Sequence, residues 1–454
     1  MGLAAVVFTG CKSLYGRYER PDINTRGLVR DAVSATDTLA VADTSSFGDM
    51  PWRTVFTDSQ LQALIERGLV NNTDLLNAAL NVKMAEAQLK AARLAFVPSF
   101  TFSPQGTISS WDGNKAMKTY QLPVAASWSI DLFGNLLSQK RSSQMALLGT
   151  RDYQLVVKTN VISSIANMYY TLLMLDRQLA IVTDMENLTK DTWELMKVQK
   201  DLGRVRSTGV QSAEANYYSV QTQRVDLQRQ IRETENSLSL LLAQPVQTIA
   251  RGKLEDQSLP TNLSIGIGLR MLNNRPDIHY AEMSLAQCFY NVETARSKFY
   301  PNLTISGSGT FTNSSGIGIV NPGKWLLSAV GSLVQPIFQH GQIVAGLKVA
   351  KAQYEQAYNK WKNAILSAGS EVSNALVVYN SAEEKSRLEA KRIATLKQNV
   401  EDTKQLLNQS NSTYLEVITA QQNLLNAELS KVTDDFNKMQ AVVNLYQALG
   451  GGAK

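Results

Sequence analysis

Cysteine and histidine are scarce, two of each in 454 residues, which limits the chemistry the chain can carry. Cys288 has no cysteine near it in sequence and reads as a packed thiol. His279 and His340 stand apart, with no Ser, Cys or metal-ligand pattern linking them, so neither a nucleophilic triad nor a metal centre is expected. The 12 methionines form no paired clusters of the kind that suggest copper or silver. A glycine-rich stretch, 318–324, imitates a phosphate-binding loop, but Trp325 replaces the required Ser/Thr and a strand pattern follows where a helix is needed. Catalysis and cofactors are therefore not expected. The net charge of +6 is spread along the chain without a Lys/Arg block, which argues against nucleic acid as a partner. No run approaches the roughly 18 apolar residues that a spanning helix requires. If the chain enters a membrane, it must do so as strands.

Two segments have the period of such strands. Phe100, Phe102, Pro104, Gly106 and Ile108 alternate with Thr101, Ser103, Gln105 and Thr107. Across a polar loop, Tyr120, Leu122, Val124, Ala126, Trp128 and Ile130 alternate with Gln121, Pro123, Ala125, Ser127 and Ser129. One face is apolar and one polar. A soluble hairpin would lay that apolar face on a core, yet nearly everything else reads as helix. The strands are about as long as tilted membrane strands, and Trp111, Trp128 and Trp325 lie toward their ends like an interfacial girdle.

Long helices follow each hairpin. Residues 136–202 lack proline and hold one glycine, Gly149; Leu148, Leu155, Ile162 and Tyr169 recur at seven-residue steps, with Ile165, Leu172 and Leu179 offset by three. This is a coiled-coil seam. The chain turns at 203–210 and returns through a helix about half as long. The whole order then recurs: Ala295-Arg296 before Pro301 echoes Ala92-Arg93 before Pro98, a second alternation follows, and Leu425, Leu429, Val432, Phe436, Met439, Val443 and Tyr446 carry the second return helix.

The sequence therefore divides into a signal remnant over 1–11, an N-terminal equatorial segment over 12–57 and a first repeat over 58–243, with hairpin 98–131, long helix 134–202 and return helix 210–243. An equatorial linker over 244–263 leads to a second repeat over 264–448, with hairpin 301–338, long helix 341–408 and return helix 414–448, and a C-terminal tail over 449–454. Each chain supplies four spanning strands, whereas a closed barrel needs at least about eight. Several copies must share one barrel.

At the N-terminus an apolar or small-residue run ends Val7-Phe8-Thr9-Gly10-Cys11, much like a lipoprotein signal with Cys11 as the acylated residue. Together with Asn274-Arg275-Pro276-Asp277-Ile278, the Ala-Arg entries to both hairpins, and Leu415-Glu416-Val417-Ile418-Thr419-Ala420-Gln421, the ordered repeats resemble the TolC-like outer-membrane efflux proteins. The likeness is to the lipoprotein branch that serves resistance-nodulation-division pumps, and it covers about residues 51–449. It implies a homotrimer: a twelve-stranded membrane β-barrel continuous with a coiled-coil helical tunnel. It also implies a bacterial outer-membrane location, contact with outer-membrane lipid, and a periplasmic adaptor and inner-membrane pump as partners.

By the same resemblance the turns are periplasmic tips. Gly203, Val205, Ser207, Val210, Ser410, Tyr414 and Val417 would touch the adaptor. Glu416, Gly209, Ser412, Thr419, Arg204, Arg206 and Leu407 would belong to the gate. Three copies of Glu416 would form a carboxylate ring that attracts cations; a solvated glutamate beginning a helix is the plainer alternative. The family commonly places an acid where Gly209 stands, some members a second acid at Thr419 and an arginine at Ser412. An Asp/Arg lock therefore cannot be carried over, and Arg204 or Arg206 becomes the candidate positive partner of Glu416. A protein-secretion duct of the same family and a trimeric coiled-coil adhesin or stalk remain as alternatives.

Overall fold

In the computed structural model, the described residues are 16–23, 28, 47–110, 112–113, 116–260, 274–314, 319–409 and 413–453. Cys11, Trp111, Ser410 and Ser412 lie outside them. The helices are α1 Trp52–Val55, α2 Ser59–Asn71, α3 Thr73–Leu94, α4 Asn135–Asp201, α5 Ser207–Leu241, α6 Pro276–Ser297, α7 Gln342–Asn408 and α8 Tyr414–Ala448. The strands are β1 Ser99–Phe102, β2 Gln105–Ser109, β3 Met117–Ile130, β4 Asn302–Ser314 and β5 Ile319–Val334. Helices of 22, 67 and 35 residues occur twice in the same order. At 1.5 Å per residue each 67-residue helix is about 100 Å long.

The chain falls into two compact units. One comprises Met1–Ile23, Leu80–Asp152 and Ile278–Ala364, the other Asn24–Ala79, Tyr153–Asp277 and Ile365–Lys454. Compactness thus divides the chain across the two repeats, not between them.

The first unit holds the sheet. Its order is β1-β3-β4-β5, with β2 also on β3, and every pairing is antiparallel. The first strand, continuous in the sequence reading, is broken between β1 and β2 at Ser103-Pro104, where proline has no N–H to offer the ladder. The register carries through the break, since Phe102 faces Val124 and Gln105 faces Gln121. That register gathers the apolar positions named for the first hairpin on one face with Phe311, Trp325 and Leu327: Phe102 faces Val124, Leu122 faces Phe311, and Phe311 faces Trp325. Phe100 (73%), Ile108 (71%) and Leu327 (78%) are largely exposed there. No second sheet lies beneath them among the described residues. In the same unit Arg20 makes a two-pronged ion pair with the buried Glu282 carboxylate, and the Tyr18 ring meets Phe289 edge-on at 6.0 Å.

The second unit has a conventional core. Ile162, Ile165, Tyr169 and Leu172 of the α4 seam are fully buried with Phe47, Phe56, Leu61, Ile65 and Tyr446, whereas Leu155 and Leu179 are only half-buried. Helix ends are satisfied locally. Asp58 caps α2 by accepting from the Gln60 amide at 2.8 Å, and also accepts from Tyr169 Oη at 2.6 Å and Gln257 Nε2 at 2.8 Å. Burial alone would raise this carboxyl, but those donors outweigh it and hold it below its ordinary value. The cap of α3 is Asn72. Its Oδ1 accepts from the Leu75 amide at 3.0 Å, and its Nδ2 donates to Leu241 O at the end of α5 at 2.9 Å.

The C-terminal residues are not a loose tail. Leu449 and Gly450, Gly451 and Gly452 are buried. A Cβ at Gly450 would stand 2.6 Å from Asn274 O, and one at Gly451 would strike the Tyr446 ring. The glycines are there because the chain passes too close to its neighbours for side chains.

Candidate functional site: the paired helix turns and the girdled sheet

In the second unit, α4 ends where Gly203 takes a left-handed φ of 72°. The Gly203 amide donates to Lys200 O at 2.8 Å and the Arg204 amide to Gln199 O at 2.9 Å, a Schellman closure that glycine permits. In the second turn, the Glu416 amide donates to Thr413 O at 3.1 Å as α8 begins. One apolar cluster joins the two turns: Met196 of α4, Ala213 of α5, Leu407 of α7 and Val417 and Ile418 of α8 are buried together, flanked by Trp193, Val205, Val210 and Tyr414. Two polar ties cross the same interface. Gln421 Nε2 donates to Thr192 Oγ1 at 2.8 Å, and Gln422 Nε2 to Asn216 Oδ1 at 3.0 Å.

The structure thus gives the anticipated tip residues unlike roles. Leu407 and Val417 are core, while Val205, Val210 and Tyr414 are half-buried at its edge. Gly203, Arg204, Arg206, Ser207, Glu416 and Thr419 are exposed, and the Thr419 hydroxyl is engaged by Leu415 O at 2.7 Å. Arg204 and Arg206 stand in the first turn and Glu416 in the opening turn of α8. Gly209 differs from its reading as a position merely lacking an acid. It is buried, and a Cβ there would stand 2.9 Å from Met196 Cε, 2.9 Å from Val205 Cγ1 and 3.1 Å from Tyr414 Cδ1. Any side chain would push the two turns apart. Gly209 and Glu416, at the third residue of α5 and of α8 respectively, are therefore opposite in environment.

Trp128 and Trp325 lie on the sheet's apolar face. Trp128 faces Ile305 and donates from Nε1 to Phe96 O at 2.9 Å. Trp325 faces Phe311, with Tyr120 beyond it, the successive ring centroids 5.6 and 6.1 Å apart. The two levels are separated by the β4 residues from Ile305 to Phe311, about 20 Å at 3.3 Å per residue. This approaches the roughly 25 Å height of a barrel's apolar band between aromatic belts.

The Asn274-Arg275-Pro276-Asp277 motif ties α6 to the end of α8 and to α7. Buried Arg275 donates from Nη1 to Ala448 O at 2.8 Å, closing the end of α8. It also grips Asp277 at 3.0 and 2.6 Å and reaches Glu371 of α7 at 2.7 Å. A guanidinium fork suits three acceptors at once. His279 sits in the other unit with Nδ1 3.0 Å from Asp152 Oδ2, and burial pushes that carboxyl up despite the contact. This pair binds α6 to α4.

A family model described as "Outer membrane efflux protein" matches residues 64–244 and 269–451. The chain is 27% identical to the cation efflux system protein CusC of Escherichia coli over 99% of its own length and 98% of that protein. It is 28% identical to the toluene efflux pump outer membrane protein TtgC of Pseudomonas putida over 100% and 95%. Among solved structures it resembles CusC with a TM-score of 0.83 and 23% identity, covering 97% of this chain and 100% of that one. The outer-membrane channel OprN gives 0.84 and 23%, covering 97% and 99%. With the family model spanning both halves of a chain that has this fold, the protein belongs to the outer membrane efflux protein family.

Proposed function

We propose that three copies of this chain form the outer-membrane duct of a tripartite efflux assembly, passively conducting small molecules delivered by a periplasmic adaptor and an inner-membrane pump. The observation that carries this reading is the sheet. It has one apolar face exposed between two aromatic levels and unpaired edges at β1/β2 and at β5. An open edge is not tolerated in lipid. Three copies pair edge to edge into a twelve-stranded barrel, and four long or return helices from each continue as a tunnel whose tips are the paired turns.

Acylation of Cys11 adds a lipid anchor. At the tips, Gly203, Val205, Ser207, Val210, Ser410 and Tyr414 meet the adaptor, whereas Val417, expected beside them, is withdrawn into the core between the turns; Glu416 of each copy faces the axis and Arg204 or Arg206 supplies its positive partner. CusC is named for cations and TtgC for toluene, so family membership leaves the cargo open.

Purified protein in planar bilayers tests the duct. A heat-resistant trimer giving discrete conductance steps supports it; a monomer without steps overturns it. Glu416→Gln and Arg204→Ala test the gate through current and cation selectivity, and unchanged values for both would remove those residues from it.

A further inference from the structure

The sheet's second face, opposite the aromatic levels, would line the bore of the proposed barrel, and this inference rests on that barrel. Its make-up is unusual for a conduit. The register places Thr101, Thr107, Ser127, Ser129, Ser306 and Thr310 on it, with the short side chains of Pro123 and Ala125 between them on β3, and none of its described side chains is charged. Lys324, opposite Thr312 in register, marks the end of this face. A bore wall without charge neither attracts nor repels ions strongly.

Against that hydroxyl background β5 breaks the pattern. Leu326, Val330 and Val334 stand on the bore face, opposite Thr310, Ser306 and Asn302, and are 62%, 57% and 59% exposed. Ser328 and Ser332 alternate with them, Ser328 Oγ lying 2.8 Å from Ser308 Oγ. From Leu326 to Val334 the stripe runs about 26 Å at 3.3 Å per residue. The edge strands that β5 must meet in the next copy present Ser99, Thr101, Gln105 and Thr107 on this face, so a neighbouring copy does not cover it. Lipid lies on the other face. What remains to cover the stripe is whatever passes through the bore.

We propose that β5 is a cargo-contact track for uncharged amphiphiles, molecules with an apolar ring or chain and neutral polar groups. The apolar part lies along Leu326, Val330 and Val334, and the polar groups exchange hydrogen bonds with the flanking serine and threonine hydroxyls.

The test uses the full-length trimer in lipid nanodiscs with 4-nitrophenyl glucoside as probe, glucose as the hydroxyl-only control and empty nanodiscs as blank. Saturation-transfer NMR is expected to show the nitrophenyl protons contacting the protein above the blank, with no signal from glucose. In the Leu326→Ser/Val330→Ser/Val334→Ser variant the apparent affinity should fall by roughly five-fold or more. Val330→Thr, close in shape, serves if the triple variant does not assemble, and should give a smaller fall. Unchanged probe binding in a variant that keeps the wild-type conductance step, or glucose binding as well as the probe, would overturn the track. Loss of the conductance step in the wild type itself would instead strike at the barrel.

Discussion

Gly209→Ala should loosen the tip without touching any charged residue. The alanine adds helix propensity worth up to about 1 kcal/mol relative to glycine, and on that ground alone it would stabilise α5. Packing opposes it. The new Cβ would approach Met196 Cε and Val205 Cγ1 to 2.9 Å and the Tyr414 ring to 3.1 Å, closer than carbon atoms settle. Met196 can swing its end aside; the short Val205 branch and the Tyr414 ring move only with their turns. Overpacking of this kind typically costs about 1–3 kcal/mol, so the net penalty is about 1 kcal/mol. It falls on the contact between the two turns, because Tyr414 belongs to one and Gly209 to the other. If the closed tip depends on that contact, 1 kcal/mol multiplies the open population about five-fold. Single-channel recording reads this as a higher open probability at unchanged step size. Gly203→Ala provides contrast: it strains the left-handed turn but meets nothing within 4 Å. An open probability for Gly209→Ala equal to wild type would refute the argument.

Other substitutions test the fold's supports. Ala243 holds a left-handed φ of 52° where the same closure at the end of α8 uses Gly450; Ala243→Gly should stabilise by about 0.5–1 kcal/mol in denaturant unfolding, whereas Gly450→Ala should destabilise markedly. Arg275→Met removes the clasp on Ala448, Asp277 and Glu371. Breaking a buried pair typically costs about 3–5 kcal/mol, reduced here to about 2 kcal/mol because both acids are partly exposed and screened, and Arg275→Lys should recover only part of the loss in melting temperature. Asp58 titrates below its ordinary value in the folded chain. Its contribution is therefore fully present above the unfolded carboxyl pKa of about 4 and lost as pH falls through the lower folded one. The melting-temperature gap between wild type and Tyr169→Phe should hold near neutrality and shrink on acidification below about pH 4.

The parts of this fold legible in sequence are those written in local period. Alternation at Tyr120 to Ile130 and at Leu303 to Phe311 marks strands because side chains change face at every residue. The heptad steps from Leu148 to Tyr169 mark a helix seam for the corresponding reason. The tip turns are legible because Gly203 interrupts one very long periodic run and the short polar stretch 409–413 interrupts the other. What escaped depends on residues far apart in the chain. Arg275 meets Ala448 across 173 positions, and Asn72 meets Leu241 across 169; no window of periodicity contains such pairs. Gln421 and Gln422 looked like ordinary polar positions, and only their partners on α4 and α5 reveal a tie. Gly209 was the instructive case. Sequence comparison within the repeats exposed a missing acid, but the reason for its absence lies in three side chains from three different elements.

The free edges of the sheet also bear on inheritance. In the proposed ring of three, every seam would join β5 of one subunit to β1/β2 of the next, so one subunit with a ruined edge would leave the ring unclosed. A proline in the middle of β5 would remove a ladder donor and poison most rings it enters when made alongside intact chains. Such an allele should behave as dominant, whereas a mutation that merely prevents the chain from folding should be recessive.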